Sequence, residues 1–281
     1  MSAEVKEEEW SQVIEPTESI FRLNLNELWR YRDLIVLFVR RDFVATYKQT
    51  VLGPLWHFVQ PIFTTLAYCF FGGLAGLPTD GLPRILFILT GVVCWNYFAS
   101  CLNKTSNTFV GNANIFGKVY FPRLAVPISI AISNLLSLGI QMLILIPFLV
   151  YYHAAIHPNI FMALIPVILF LLGVTGFGIG IIVSALSTRY RDLTYLVAFG
   201  MQLAVYTTSV IYPLSLLKGK SRIIAGLNPV TSLVEMFRYG LLGKGTFSIE
   251  TIAYSVGFAF VILLAGIMAF NSSEKTFMDT V

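Results

Sequence analysis

Residues 160–187 read IFMALIPVILFLLGVTGFGIGIIVSALS, a stretch without a single Asp, Glu, Lys or Arg. At a helical rise of about 1.5 Å per residue, a helix of this length crosses a hydrocarbon layer of about 30 Å. A soluble protein would place charge on at least one face of so long a helix. The stretch therefore predicts a transmembrane helix.

Five further stretches share this property, and the charged residues crowd into the segments between them. These stretches are 54–75, 85–102, 124–152, 193–217 and 251–270. The chain is 56% apolar and only 12% charged, whereas soluble domains are about one-quarter charged. We therefore predict an all-α integral membrane protein with six transmembrane helices.

The predicted organisation is one membrane domain with a short polar segment at each end. Residues 1–25 form an acidic segment that lacks the apolar core of a secretion signal. Residues 26–272 form the transmembrane domain, and residues 273–281 form a tail. One helical membrane domain is the expected count for a chain of 281 residues.

The distribution of Lys and Arg near the ends of the spans predicts the orientation. These residues are frequent before the first span, in 103–123 and in 188–192, which places both termini and these loops in the cytoplasm. Segment 218–248 breaks the pattern, because it carries five Lys or Arg although an even span count places it outside. Residues 223–242 are moderately apolar and interrupted by Pro and Gly, so we interpret them as a pair of short re-entrant helices in the outer leaflet.

Residues 26–50 mix apolar and charged side chains at helical spacing, too charged to span and too apolar to lie free in water. This pattern is typical of an amphipathic helix in the cytoplasmic interface, with its Trp at headgroup depth and its arginines toward lipid phosphates. The residues of interest are Trp29, Arg32, Phe38, Arg40, Arg41, Tyr47 and Lys48. A plain membrane anchor would show the same pattern, and at this point both interpretations stay open.

Residues 105–123 form a second cytoplasmic element, which mixes aromatic with basic residues and ends at Pro122 and Arg123. An exposed segment of this composition is typical of a protein contact. A loop that only turns the chain is the alternative, but a turn needs about 2–8 residues and this segment is longer. The pattern therefore favours a contact with another protein.

Several kinds of chemistry lack their sequence patterns here. There is no G-x-x-x-x-G-K-[ST] motif, so the chain has no P-loop of its own. No charged residue stands in the middle of a predicted span, which argues against a proton or sodium relay. His57, His153 and His157 share no metal-ligand spacing, so no metal site is predicted. Glu235 and Arg238 stand three residues apart, which is more typical of an ion pair than of an acid/base pair.

Several motifs, in the same order along the chain, resemble polysaccharide-export permeases of the ABC-2 class. They are YKQTVLGPLW at 47–56 with Gln60 and Pro61, SN at 106–107, GNAN at 111–114, KVYFPR at 118–123, SALS at 184–187, RYRD at 189–192, YP at 212–213, NP at 228–229, and Glu235 with FR at 237–238 and LLG at 241–243. The resemblance covers about residues 22–245. The family often has a basic residue directly before its Tyr-Lys-Gln-Thr motif, where this chain has Thr46.

The resemblance implies a permease in the bacterial inner membrane that exports lipid-linked polysaccharide. The polysaccharide expected first is O antigen carried on undecaprenyl diphosphate. Capsule and teichoic acid polymers are alternatives of the same class. The expected assembly is a homodimer with two copies of a separate ABC ATPase, which would bind ATP and Mg. This chain would then be no enzyme, hold no cofactor and contact membrane lipid but no nucleic acid.

The resemblance also implies roles for particular segments and residues. Segment 26–50 would be a gate or interface helix, and 105–123 would carry the coupling helix that docks on the ATPase. The residues expected at the ATPase are Asn112, Ile115, Phe116, Lys118, Tyr120, Phe121 and Arg123, with a second contact at Arg189, Arg191 and Asp192. The re-entrant region would use Asn228, Pro229, Glu235 and Arg238.

Aromatic residues within the spans predict the lining of a channel, because aromatic faces stack on sugars and their polar tips bind hydroxyl groups. The candidates are Tyr68, Trp95, Asn96, Tyr97, Phe98 and Tyr206, with Trp95 and Tyr97 as the first choices. Packing against other helices or against lipid is the alternative for each of them. Two other classes of function also stay open: a glycan-assembly enzyme, for which only Asp192 and Glu235 offer acids, and a scaffold or passive channel.

Overall fold

Every regular element in the described part of the chain is helical, which confirms the all-α prediction. This computed structural model describes residues 25–48, 50–116, 121–153, 157, 159–190 and 192–277. The helices are α1 (Leu25–Arg30), α2 (Arg32–Tyr47), α3 (Trp56–Leu74), α4 (Arg84–Ser106), α5 (Thr108–Phe116), α6 (Ala125–Tyr151), α7 (Ile165–Ser187), α8 (Leu193–Thr207), α9 (Lys220–Leu227), α10 (Pro229–Leu242) and α11 (Ile249–Phe277). Short 3-10 helices lie at Gly53–Leu55, Ile160–Leu164 and Leu214–Leu216.

Four of the described helices are suited by length and composition to cross a membrane. They are Arg84–Ser106, Ala125–Tyr151, Ile160–Ser187 and Ile249–Ser273, and each covers all or nearly all of one charge-free stretch. The other two stretches form α3 and α8. The α8 helix has only 15 residues, fewer than the about 20 that a spanning helix needs, because its backbone becomes extended at Thr208.

The long helices give the molecule two ends. The 23 residues of α4 extend over about 35 Å. Phe87 in its first turn meets Arg238 of α10, and α5 follows directly after its last turn. We call these the α10 end and the α5 end. The α11 helix joins them, since its Ser255 Oγ donates to the Pro229 carbonyl at 3.0 Å and its Phe270 stacks on Phe109 of α5.

Glycines let the central helix α7 approach its two neighbours closely. A Cβ atom added to Gly176 would lie 2.7 Å from the Phe98 carbonyl oxygen of α4. On the opposite side, a Cβ atom on Gly178 would lie 2.9 Å from Ile262 of α11. Close packing of this kind holds helices together in lipid, where no hydrophobic effect separates protein from its surroundings. The three helices α4, α7 and α11 thus form the frame that fixes both ends.

The buried apolar residues fall into two clusters. The larger cluster fills the centre of the bundle and the α10 end, with members from α4, α6, α7, α8, α10 and α11. The smaller cluster lies at the α5 end, and we call it the α5-end cluster. It comprises Leu28, Ile35, Phe38, Phe109, Phe116, Phe121, Ala125, Val126, Ile130, Ile181 and Phe270.

The region predicted to be re-entrant contains two short helices, α9 and α10. The Asn228 side chain accepts a hydrogen bond from the Val230 N–H at 3.0 Å, and Pro229 occupies the first helical position. Both are preferred at helix starts. The α10 helix ends at Gly243, which has φ of 72° and so adopts the left-handed conformation that terminates many helices. This Asn-Pro pair and the glycine explain why the segment divides where it does.

Candidate functional site

The short helix α5 is held against the ends of two long helices. The ring of Phe109 stacks on Phe270 of α11, with 4.5 Å between ring centroids and 25° between planes. The Phe109 N–H donates to Ser184 Oγ of α7 at 3.1 Å. Both rings are fully buried. A displacement of α5 would therefore act directly on α7 and α11.

A chain of rings joins α5 to the amphipathic helix α2. Phe116 of α5 contacts Phe121 with ring centroids 5.7 Å apart, and Phe121 contacts Phe38 of α2 at 5.6 Å. Arg41 adds a polar link, because its guanidinium lies 4.7 Å from the centre of the Phe38 ring and its Nη2 donates to Asn112 Oδ1 of α5 at 3.4 Å. The three helices α2, α5 and α11 thus meet in one cluster.

Arg41 is oriented by its neighbour Asp42. The two side chains form an ion pair of 2.8 Å between Arg41 Nη2 and Asp42 Oδ1. Because both groups are partly exposed, the pair adds little stability. Its effect is to fix the guanidinium over Phe38 and toward Asn112, and so to hold α2 in register with α5.

Phe116 and Phe121 do not project outward, as an anchor in a partner protein would. Their exposed fractions are only 4% and 5%, and the guanidinium of the buried Arg123 lies 5.7 Å from the centre of the Phe116 ring. Asn112 and Ile115 are half-buried. In this single chain both rings therefore face inward, and their contact with a partner stays a prediction.

The outward side of α5 carries smaller side chains that sequence reasoning missed. Asn107, which directly precedes α5, and Val110, Gly111 and Asn114 of α5 are all exposed, and we call these four residues the α5 strip. Their spacing of three and four residues places them on one face of a helix. That same spacing, counted from the buried Phe109 and Phe116, could have revealed this face. The strip is the part of α5 open to another protein.

Other residues predicted to contact the partner lie at the same end or outside the described residues. Arg189 and Asp192 are exposed, and they follow the turn of α7 whose Ser184 binds α5. Arg189 and Asp192 therefore lie at the same end of the molecule as the α5 strip, and their contact with a partner stays a prediction. Lys118, Tyr120 and Arg191 lie outside the described residues.

The outer face of α2 combines apolar and cationic side chains. Trp29 is exposed, with the Arg32 guanidinium 5.5 Å from its ring centre. Val36 and Leu37 are also exposed, as are Arg40 and Lys48. Such a face suits a helix in the membrane interface. The opposite face packs into the α5-end cluster, and Tyr47 is the last residue of α2, with its side chain outside the described part.

At the α10 end, Glu235 and Arg238 form the ion pair that their spacing predicts. Arg238 Nη1 lies 3.1 Å from Glu235 Oε1, and both side chains are buried. Arg238 Nη2 also donates to the Ser209 carbonyl at 2.8 Å and to the Phe87 carbonyl at 3.3 Å, with the guanidinium 3.7 Å from the centre of the Phe87 ring. The pair therefore ties α10 to α4 and to the segment after α8.

Both oxygens of the Glu235 carboxylate take part in this network. Its Oε1 accepts the Leu214 N–H at 3.1 Å, and its Oε2 accepts the Thr246 N–H at 2.9 Å. A carboxylate that is buried, paired with Arg238 and bonded to two backbone groups serves structure, since both of its oxygens already accept hydrogen bonds. Asp192, the other acid considered for catalysis, lies at the opposite end of the molecule. These two acids do not form a catalytic pair.

The structure separates the predicted channel residues into two groups. Trp95, Tyr97 and Phe98 are buried inside the chain, and the Tyr97 hydroxyl packs against Gly173 of α7. Asn96 is half-buried. In this conformation of the single chain Trp95 and Tyr97 pack against their own helices, and their exposure to a channel stays a prediction. Their location on α4, between other helices, could not be deduced from the sequence.

Tyr68 and Tyr206 belong to a more open face made by α3 and α8. Tyr206 is 58% exposed and Tyr68 is half-buried, and their hydroxyl groups are close enough to interact electrostatically. Gln60 of α3 and Gln202 of α8 are exposed as well. The α8 helix buries only Val205. This face therefore combines exposed apolar surface with exposed amide groups.

Sequence comparisons match most of the bundle. The sequence profile of the family described as ABC-2 type transporter matches residues 33–242. The O-antigen export system permease protein RfbA of Klebsiella pneumoniae is 29% identical over 255 residues, which cover 88% of this chain and 94% of the relative. The protein of the same name from Myxococcus xanthus is 24% identical over 260 residues, covering 92% and 98%. The inner membrane transport permease YadH of Escherichia coli strain K12 is 24% identical over 243 residues, covering 81% and 86%.

Proposed function

This chain belongs to the ABC-2 type transporter family, and from that premise we propose that it is the permease subunit of an exporter that moves polysaccharide of the O-antigen type across the bacterial inner membrane. The assignment of the cargo rests on the relatives named for O-antigen export, which align with nearly the whole chain. Both the α5 end and the α10 end are included in the family match.

The energy for export comes from a separate ABC ATPase that binds at the α5 end. The chain has no P-loop motif, so ATP and Mg would be held by the partner. The α5 strip, with Arg189 and Asp192 beside it, supplies exposed side chains for the contact. The buried rings behind the strip support a role in coupling, because they connect α5 to α2, α7 and α11 without a gap. A tightly packed cluster moves as one body when its surface is displaced.

A second copy of the chain completes the assembly at the face of α3 and α8. Exposed amides such as Gln60 and Gln202 are unfavourable against lipid and favourable against a polar channel or another helix. In the dimer, the two copies of this face enclose the path of the polymer. Tyr68 and Tyr206 are then the aromatic residues of the channel wall, a role that suits sugars sliding past neutral side chains.

Six crossings of the membrane fit the contacts of the shorter helices. The α3 helix begins near α6, where His57 Nε2 lies 3.4 Å from Ser137 Oγ, and ends near Arg84 at the start of α4. The α8 helix begins after Asp192 and ends beside the Arg238 network. We infer that both segments cross the membrane, α8 together with the extended segment that follows it to Ser209. With six crossings both termini lie at the α5 end, which the frequency of Lys and Arg places in the cytoplasm.

Deletion of the gene in the bacterium that encodes it tests this function. We expect surface polysaccharide to disappear and lipid-linked polymer to accumulate, accessible to a glycan-specific antibody only in permeabilised cells. The wild-type gene should restore export. Loss of polymer synthesis itself would indicate a glycan-assembly enzyme, and unchanged surface polymer would overturn the proposal. The mass of the accumulated lipid would identify the carrier, which we expect to be undecaprenyl diphosphate.

A further inference from the structure

A group of basic residues at the α10 end is not explained by export. Lys218, Lys220 and Arg222 are all exposed around the start of α9, on the side that the proposed topology places outside the cytoplasm, where positive charge is disfavoured. Within the described residues, the ion pairs involve Asp33, Asp42 and Glu235 but none of these three basic side chains. Three neighbouring positive charges outside any ion pair of the described residues can bind a negatively charged ligand from outside the chain.

An apolar cavity of about 420 Å³ lies beside this basic group. It is bounded by α9, by the segment before α11 and by the first turns of α11. Its walls include Ile223, Leu227, Phe247 and Tyr254, and Arg222 lies among the lining residues. The Tyr254 hydroxyl donates to the Leu227 carbonyl at 3.0 Å, which holds α9 against α11. The site therefore joins an apolar volume to a cationic side chain.

The cavity continues into an apolar face of α11. Tyr254, Val261 and Leu264 are exposed, and their spacing places them along one side of the helix. At the upper end of this line, Ile223 and Leu227 of α9 are 65% and 60% exposed. A chain of methylene groups lying along α11 would reach the cavity and end next to the basic group.

We propose that this cavity binds one acyl chain of an anionic phospholipid, with the lipid phosphate held by Arg222 and the neighbouring Lys218 and Lys220. The apolar walls fit an acyl chain, and three positive charges fit a phosphate with a net negative headgroup such as that of phosphatidylglycerol. Glu250 also lines the cavity, and its charge would keep the phosphate on the α9 side. A second copy of the chain fits less well, because two such basic groups would repel each other.

This site explains why the α10 end carries basic residues. Bound phosphates would compensate the charges of α9, and the acyl chain would fix the pair α9 and α10 relative to the lipid layer. The inference is independent of the exported polymer, so the purified protein can test it without any transport.

The test is native mass spectrometry of the detergent-purified protein titrated with phosphatidylglycerol or with phosphatidylcholine of the same acyl chains. For the wild type we expect tighter binding of the first phosphatidylglycerol. Arg222→Gln should weaken that binding about fivefold, since a basic residue near a lipid surface contributes about 1 kcal/mol. Replacing Lys218 and Lys220 by Gln as well should weaken it further. Lys244→Gln is the matched control, because Lys244 is exposed at the same end but does not line the cavity.

A second variant tests the cavity itself. A Cβ atom added to Gly226 meets nothing within 4 Å, so Gly226→Leu should fold normally and fill the volume that Gly226 lines. We expect it to reduce binding of phosphatidylglycerol even though every charge is kept. Thermal melting of each variant checks the fold.

Three results would overturn the proposal. The first is equal affinity of the wild type for the two lipids, and the second is unchanged binding to both Arg222→Gln and Gly226→Leu. The third is a co-purifying lipid-linked glycan, lost in Arg222→Gln, in place of phosphatidylglycerol. That result would mean that the basic group and the cavity bind the phosphate and lipid of the exported substrate and not a membrane phospholipid.

Discussion

Glu235 and Arg238 show how single residues keep charge inside an apolar environment. Each charged group is surrounded by its opposite charge and by backbone hydrogen bonds, so neither is left unpaired. The ion pair itself could be predicted from its spacing of three residues. Its other partners could not, because Phe87 precedes Arg238 by 151 residues and only the fold brings them together.

The first prediction concerns this pair. Glu235→Ala should destabilise the protein by about 3–5 kcal/mol, because it leaves the Arg238 guanidinium buried without its counter-charge. The measurement is the thermal midpoint of the detergent-purified protein. Glu250→Ala, which removes an exposed glutamate from α11, is the control and should change the midpoint little. Equal midpoints for the two variants would show that the network does not hold the α10 end.

The second prediction separates packing from channel residues. Tyr97→Ala should lower stability by about 3–5 kcal/mol, since it removes a buried ring from the contact with Gly173. Tyr206→Ala should leave the melting midpoint almost unchanged and reduce export, because its ring is exposed on the α8 face. Melting and export are measured on the same preparations and strains. A stable Tyr97→Ala protein with impaired export would reverse the two assignments.

At the scale of elements, the helix α5 shows which part of the prediction depended on tertiary structure. Its position after the second charge-free stretch and before Pro122 could be deduced from the sequence. Which of its faces is buried could not be deduced from composition alone. Aromatic side chains can anchor a partner protein or pack against their own chain. Here Phe109 packs against its own chain, because it stacks on Phe270, which lies 161 residues away in the sequence.

The third prediction tests the packing of α7. Gly176→Ala should destabilise the protein by about 1–3 kcal/mol, because the new methyl group would press on the Phe98 carbonyl of α4. Gly139→Ala on α6 is the matched control, since a Cβ atom there meets nothing within 4 Å. It should leave stability unchanged or raise it slightly through the better helix propensity of alanine. Thermal melting distinguishes the two, and equal effects would argue against close contact of α4 and α7.

For the whole molecule, the absence of charge predicted the long helices well, because lipid excludes charged side chains from every spanning segment. It predicted α8 less well. The charge-free stretch continues to residue 217, but the helix ends at Thr207 and the chain then turns into the Arg238 network. A stretch without charge therefore indicates which part of the chain is removed from water. The residue at which a helix ends depends on the hydrogen bonds that the fold makes.

The fourth prediction concerns the dimer. In a variant whose native cysteines are replaced by alanine, Gln202→Cys on α8 should form a cross-linked dimer in native membranes when a short bifunctional maleimide is added. Val261→Cys is the control, because it is exposed on the separate face formed by α11. It should remain monomeric on a denaturing gel. Cross-linking at position 261 but not at position 202 would show that the second copy contacts α11 instead of α8. That result would contradict the proposed channel.

The central claim is that this chain is driven by a separate ATPase bound at its α5 end. The most direct measurement is affinity purification of the chain from its native membranes, with mass spectrometry of the proteins bound and of their ratio. We expect a protein with a P-loop to purify with the chain in equimolar amount. This protein should no longer co-purify with the double variant Val110→Glu and Asn114→Arg. The two substitutions change the exposed α5 strip and leave the buried rings intact. Purification of the wild-type chain alone, or with glycan-assembly enzymes and no ATPase, would contradict the account.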